Sequence, residues 1–251
     1  MDDSCIVLHF EHYCSLPASD KLLLVSLEKS ATRHLKNTVI WNEGDYSRHF
    51  CTVKSGWVCS FRHLQDGRRQ IVDVFMPGDV VGLREVAFRR RITGLITLTE
   101  AELCEFPKFR LSEVFAESSL LCNIFFLISA RDQAILLERL ANLGQRTARQ
   151  AMAHFLVEMA SRLKRIFRRQ APQVRLPFSQ TFLGDVLGLS TVHINRTFRS
   201  LREEGLIRRN RDHIELLDME RLKRISGFNP AYLQPDLSSL PPPRGGHKTL
   251  H

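Results

Sequence analysis

Between Phe178 and Leu201 the chain carries polar and basic side chains at spacings suited to gripping a nucleic acid. Ser179 can cap a helix whose apolar positions are Phe182, Leu183, Val186 and Leu187, and Gly188 can take the positive φ that turns the chain. Leu189 plugs the turn. Ser190 then caps a second helix whose inner face is Ile194, Phe198 and Leu201, spaced by four and three. The spacing therefore predicts a helix-turn-helix. Its second helix would enter the major groove of double-stranded DNA, with Thr191, Val192, Asn195 and Arg196 facing base edges. Arg196 suits a guanine, and the methyl groups of Val192 suit a thymine methyl. Gln180, Thr181, Ser190, His193 and Arg199 suit phosphates, which set register without reading sequence. The stretch from Leu206 to Leu216 reads as strand, polar turn and strand, a wing that brings Arg209 and Arg211 to further phosphates.

Charge follows the same division. Residues 1–143 hold 17 Lys and Arg against 18 Asp and Glu, a net of −1, whereas residues 144–251 hold 19 against 9, a net of +10. Sixteen of those 19 cations are arginines, whose planar fork matches phosphate and guanine edges. A polyanion partner is thus expected for the second part alone. A solvated charged surface is the plainer reading of the same numbers.

Elements that position this segment can be read further upstream. From Ser118 to Leu143 no Gly or Pro interrupts a long helix, along which Leu121, Ile128 and Ile135 repeat every seven residues, as do Leu120, Leu127, Ala134 and Ala141. Sevenfold apolar spacing favours helix-on-helix packing, most simply with a second copy of the chain and otherwise with its own sheet domain. Leu121, Ile124, Ile128 and Ile135 are the expected homodimer interface. Gly144 is the expected hinge, and a further helix runs to about Arg168.

From Thr32 to Phe106 short β-rich segments alternate with turn signals such as Asp66-Gly67 and Pro77-Gly78-Asp79, which predicts a sandwich or roll. Trp57, Cys59 and Phe61, followed by Ile71, Asp73 and Phe75, have the pattern of a hairpin. The six cysteines form no C-x-x-C pair, so zinc and iron–sulfur centres are disfavoured and buried structural thiols expected, while the scattered histidines of the sensor part are only a weak signal for haem. The longest apolar run, Leu120 to Ile128, is too short to span a bilayer, and the acidic start is unlike a signal peptide; no membrane partner and a cytoplasmic location are expected. Phosphate loops, H-E-x-x-H and nucleophile elbows are missing, so neither catalytic residues nor a metal site is assigned.

Taken together these segments resemble the Crp/Fnr family of bacterial transcription regulators over roughly residues 15–233. The resemblance is carried by Asn42-Glu43-Gly44-Asp45, Gly56-Trp57-Val58, Asp66-Gly67-Arg68-Arg69-Gln70 and Pro77-Gly78-Asp79-Val80-Val81-Gly82, and most specifically by Leu187-Gly188-Leu189-Ser190 through Glu203-Glu204-Gly205-Leu206-Ile207. It implies an α+β fold: an N-terminal β-roll, jelly-roll-like and of the cyclic-nucleotide-binding type (1–116), a long dimerisation helix (117–143) and a C-terminal winged helix-turn-helix (144–233), after which the Pro-, Gly- and Ser-rich composition predicts a disordered tail (234–251). It also implies a homodimer on a palindromic operator, controlled through the sensor domain, with RNA polymerase as a further partner.

A family cyclic-nucleotide pocket would fall on Gly82, Arg84, Glu85, Arg91 and Thr93, with Leu136 and Leu137 from the long helix. Leu83 stands where the ribose-binding Glu belongs, Ile92 stands where the phosphate Arg would immediately precede the hydroxyl residue, with Arg91 one place away, and neither Leu136 nor Leu137 can donate a hydrogen bond. Cyclic nucleotide is therefore disfavoured, and another small ligand, or none, is expected. A non-specific architectural DNA-binding protein, and a nucleotide-binding signalling module or enzyme, stay open beside the regulator.

Overall fold

Short strands joined by turns fold residues 31–107 into two antiparallel four-stranded sheets packed face to face, with the central strands buried on both faces. The structure, a computed structural model, describes residues 4–28, 31–166, 175–210 and 213–239. Helices α1 (Cys5–Phe10) and α2 (Ala18–Leu27) precede strands β1 (Ala31–His34), β2 (Val39–Trp41), β3 (His49–Ser55), β4 (Val58–His63), β5 (Arg69–Phe75), β6 (Val80–Val81), β7 (Gly94–Thr97) and β8 (Ala101–Pro107). One sheet has the order β1-β8-β3-β6 and the other β2-β7-β4-β5. Cys51, Val53, Val58, Phe75, Val81, Leu95 and Leu103 fill the space between them.

The outer faces of both sheets are also covered. Phe50, Val80 and Phe106 point from the first sheet into a core shared with α1, α2, α3 (Phe109–Glu117) and α4 (Ser119–Gly144). Cys59, Phe61, Ile71 and Val74 point from the second into a core shared with the C-terminal helices. In the β4–β5 hairpin Ser60 faces Asp73 but Phe61 faces Ile71, so Val72 is an extra residue. That bulge flips the side-chain parity. Ile71 and Phe75, expected on one face, accordingly end in different cores.

Ser118 is extended and separates α3 from α4. Its hydroxyl accepts from Leu121 N at 3.1 Å, capping the long helix. After α4 the chain breaks at residues 145–147 before α5 (Ala148–Ile166), just beyond the expected hinge glycine. The head then adds β9 (Arg175–Leu176), α6 (Gln180–Leu187), α7 (Thr191–Glu203), β10 (Ile207–Asn210), β11 (His213–Leu216) and α8 (Met219–Ser226).

Three expectations change. Leu121, Ile124, Ile128 and Ile135 are fully buried, the first three in the chain's own sensor core, and so cannot form an intermolecular seam. The alternative of packing on the same chain holds for them. Exposed instead are Phe126, Ala130, Gln133, Leu137 and Leu140, spaced alternately by four and three, with Phe126 63%, Leu137 67% and Leu140 64% exposed. The apolar character of α4 also extends beyond the Leu120–Ile128 stretch, which Asn123 interrupts. Among the described residues this one helix is long and apolar enough to cross a membrane by length and composition, with a hydropathy of 1.6. One face of it packs into the chain's own core, and Arg131 and Arg139 are buried in ion pairs along it. Finally, residues 234–239, placed by expectation in a disordered tail, include a 3-10 turn whose Leu237 packs against the sensor core. Residues 240–251 lie outside the described residues.

Candidate nucleic-acid interface and sensor pocket

The turn between α6 and α7 is built by local hydrogen bonds. Ser179 Oγ accepts from Phe182 N at 3.0 Å and Ser190 Oγ from His193 N at 3.4 Å, so each helix begins on a serine cap. Gly188 closes α6 in the left-handed region at φ 63°. A Cβ there would also meet Leu143 Cδ2 at 3.1 Å, which brings the end of α4 against the turn. Ile194, Thr197, Phe198 and Leu201 anchor α7 in the head core.

The outer face of α7 is free. Thr191, Val192, His193, Asn195, Arg196 and Arg199 are all exposed, Val192 at 75%. Thr181 and Ser190 are exposed beside them and Gln180 is half-buried. Arg199 has only an exposed partner, Glu203 at 3.4 Å, which competes weakly with a phosphate. In the wing, Arg208 is tied to Glu215 at 2.6 Å, whereas Arg209 is exposed 5.9 Å from the Phe198 ring. Arg211 lies outside the described residues. At the far end of α7, Glu204 pairs with Arg149 of α5; that hydrogen bond, with Ser200, holds its carboxyl at about 2. The C-terminal end of the recognition helix is thereby fixed on its scaffold.

The sensor pocket has a different character. Gly82, Arg84, Glu85 and Thr93 line a cavity of about 20 Å³, together with Trp41, Ser60 and Asp132 of α4. Arg91, which the sequence placed in the pocket, is not among the residues that line this cavity; it turns inward and is buried. Its Nη1 donates to Glu85 Oε2 at 2.9 Å, Nη2 donates to His49 O, and the guanidinium lies 3.8 Å from the Trp41 ring centroid. Leu136 and Leu137 do not line it. Leu137 belongs to the exposed stripe of α4, so the helix's contribution here is Asp132, one turn earlier.

A Crp-like helix-turn-helix domain model matches residues 150–225, and a cyclic nucleotide-binding domain model matches residues 32–118. The nitrogen fixation regulation protein FixK of Bradyrhizobium diazoefficiens is 28% identical over 190 residues, 74% of this chain and 78% of the relative. The transcriptional activator protein anr of Pseudomonas aeruginosa is 26% identical over 214 residues, 85% of this chain and 87% of the relative. FixK2 from Bradyrhizobium japonicum has a similar structure, with a TM-score of 0.69 and 26% identity over 78% of this chain and 98% of that one. The chain belongs to the Crp/Fnr family. It is a sequence-specific DNA-binding transcription regulator with a sensor domain.

Against that family frame, the sensor residues do not fit a cyclic nucleotide. The cavity at Glu85 and Thr93, about 20 Å³, holds one water, and the roomier adjoining cleft of about 220 Å³ is lined by Leu83, Arg84, Ser129, Asp132 and Gln133, without the donors around Glu85. The position of the ribose-binding carboxylate is held by the buried Leu83, and the arginine is already paired with Glu85. Cys51, Cys59 and Cys104 are buried as packing residues, and burial pushes the Cys59 thiol up to about 12. They are poor nucleophiles and poor metal ligands in that state.

What the Crp/Fnr sequence motifs did not reveal is the joint between sensor and head. Arg69 of β5 pairs with Asp185 of α6 at 2.9 Å, Gln70 Nε2 donates to Val186 O at 3.3 Å, and Trp57 meets Phe178 edge-on at 5.5 Å. Buried between the two parts, Asp79 of the β5–β6 turn accepts from Arg131 of α4 and Arg162 of α5. The Pro77-Gly78-Asp79 turn signal marked the loop, but nothing nearby in sequence marked its partners.

Proposed function

We propose that the chain acts in the cytoplasm as a homodimer on a palindromic operator. Its two recognition helices would lie about 34 Å apart, one turn of DNA. Thr191, Val192, Asn195 and Arg196 read bases; Gln180, Thr181, Ser190, His193, Arg199, Arg209 and Arg211 bind phosphates. The carrying observation is the serine-capped α7 with its inner face buried and its outer face exposed. The exposed stripe of Phe126, Ala130, Gln133, Leu137 and Leu140 supports dimerisation, because a 4-3 repeat of exposed positions, apolar at all but Gln133, is the pattern of a helix-on-helix seam. The β-roll (1–116), the helix (117–143) and the head (144–233) serve as sensor, dimer element and reader. The protein works by binding rather than turnover, with RNA polymerase as the downstream contact.

In vitro selection from random duplex DNA tests this, with binding then titrated against salt. A two-fold symmetric enriched site is the expected result. Steeply salt-dependent binding to every duplex, with nothing enriched, would instead identify an architectural protein.

A further inference from the structure

Four donors converge on one buried carboxylate in the sensor roll. Glu85 Oε1 accepts from Ile92 N at 3.2 Å, Thr93 N at 3.0 Å and Thr93 Oγ1 at 2.9 Å, while Oε2 accepts from Arg91 Nη1 at 2.9 Å. Two backbone amides, a hydroxyl and a guanidinium form a donor set for a phosphate or another oxyanion. Glu85 is 2% and Arg91 4% exposed, so solvent does not compete. The turn that carries the carboxylate is itself clamped. Lys108 Nζ donates to the carbonyls of Glu85 at 2.8 Å and Phe88 at 2.9 Å, and Gly82 starts the turn at φ 102°, where a Cβ would press on Arg91 Nη1 at 3.1 Å.

From this geometry we infer that Glu85 is an internal ligand. The chain's own carboxylate fills the oxyanion cradle of the roll, so the sensor holds its closed form without a small molecule. Asp132 of α4 lines the same cavity, so this closed form is the one presented to the long helix. An external phosphate group has no place while Glu85 is present. Removing the carboxylate leaves Arg91, Thr93 and two amides facing a gap of about one carboxylate, and converts the cradle into a site for phosphate-bearing ligands. Adjacent Ser60 Oγ and Trp41 Nε1, buried without partners, are further donors for such a ligand.

The test is thermal unfolding of the full chain without DNA, which keeps it separate from the operator reading. Wild type, Glu85→Ala and the double variant Glu85→Ala with Arg91→Ala are each melted in inorganic phosphate, in cyclic AMP and in chloride at equal ionic strength. Expected for wild type is no phosphate-specific shift beyond that of the double variant, which keeps the phosphate-binding side chains of the head. For Glu85→Ala the midpoint should rise by about 3–5 °C at ten-fold excess over the dissociation constant, and the double variant should lose that rise. A response to cyclic AMP alone would mean the site needs the nucleoside as well as the phosphate, and would still require the vacated carboxylate. A saturable shift in wild type that the double variant loses, or no shift beyond the double variant's in a folded Glu85→Ala, overturns the inference. Should Glu85→Ala fail to fold in chloride, refolding from urea decides. Recovery only in phosphate or cyclic AMP supports the internal-ligand role, and recovery in neither overturns it.

Discussion

Asp79 of the sensor turn and Arg162 of the first head helix form a buried ion pair, Arg162 Nη2 donating to Asp79 Oδ2 at 3.0 Å. The same carboxylate takes Arg131 Nη2 on Oδ1 at 3.3 Å and Met76 N on Oδ2 at 3.0 Å. Burial works against its charge, but the two arginines outweigh it and hold the carboxyl below the usual range. One side chain therefore ties the roll to both α4 and α5.

Asp79→Ala should cost roughly 3–5 kcal/mol, because it leaves two buried guanidinium groups without this carboxylate. Arg162→Met should cost less, since Asp79 keeps Arg131 and the methionine fills volume. Urea denaturation of both variants checks the order; equal losses would place the energy in packing rather than in the charges.

His9 predicts acid sensitivity. Burial, then Arg131, lowers its pKa to about 3 despite the neighbouring Asp79. The unfolded chain takes up a proton near pH 6.5 that the folded state refuses, so this group costs stability as pH falls from 6.5 towards 3. Its slope is at most about 1.4 kcal/mol per pH unit. His9→Gln should flatten the pH–stability curve in that window.

On DNA, Arg196→Ala should cost roughly 1–3 kcal/mol and relax preference at one base position. Arg199→Ala should weaken all duplexes alike and lower the salt slope by about 1. Binding of each variant to the selected operator and to random duplex separates the two roles. Equal losses on both duplexes for Arg196→Ala would remove it from base reading.

Dimerisation should respond to the outer stripe of α4. Leu137→Glu is expected to weaken self-association by about thirty-fold or more, the weight of one hot-spot side chain of about 2 kcal/mol, while the fold survives. Ile128→Glu should unfold the sensor instead, because Ile128 is fully buried in its own chain. Sedimentation and circular dichroism of both variants check this. An unchanged mass for Leu137→Glu would put the interface elsewhere.

The sequence by itself determined the helix-turn-helix, because its determinants are local. A serine cap bonds an amide three residues on, as Ser179 and Ser190 do, and Gly188 owes its turn to the absence of its own Cβ. The inner face of α7 likewise follows from a period of 3.6, and its exposed arginines from the charge they carry. Only the tertiary structure decided what α4 buries. Two apolar stripes lie on that helix, and which of them meets the sensor depends on Phe10, Phe50 and Phe106, distant in sequence. It also decided the joint at Asp79, whose partners are 52 and 83 residues away. The inward turn of Arg91 onto Glu85 was hidden too, because burial of an ion pair depends on the walls around it, here Trp41 and the backbone of His49. The Val72 bulge shows the same limit in one residue: alternation predicts the face of a strand only while the register holds, and the register belongs to the pair of strands.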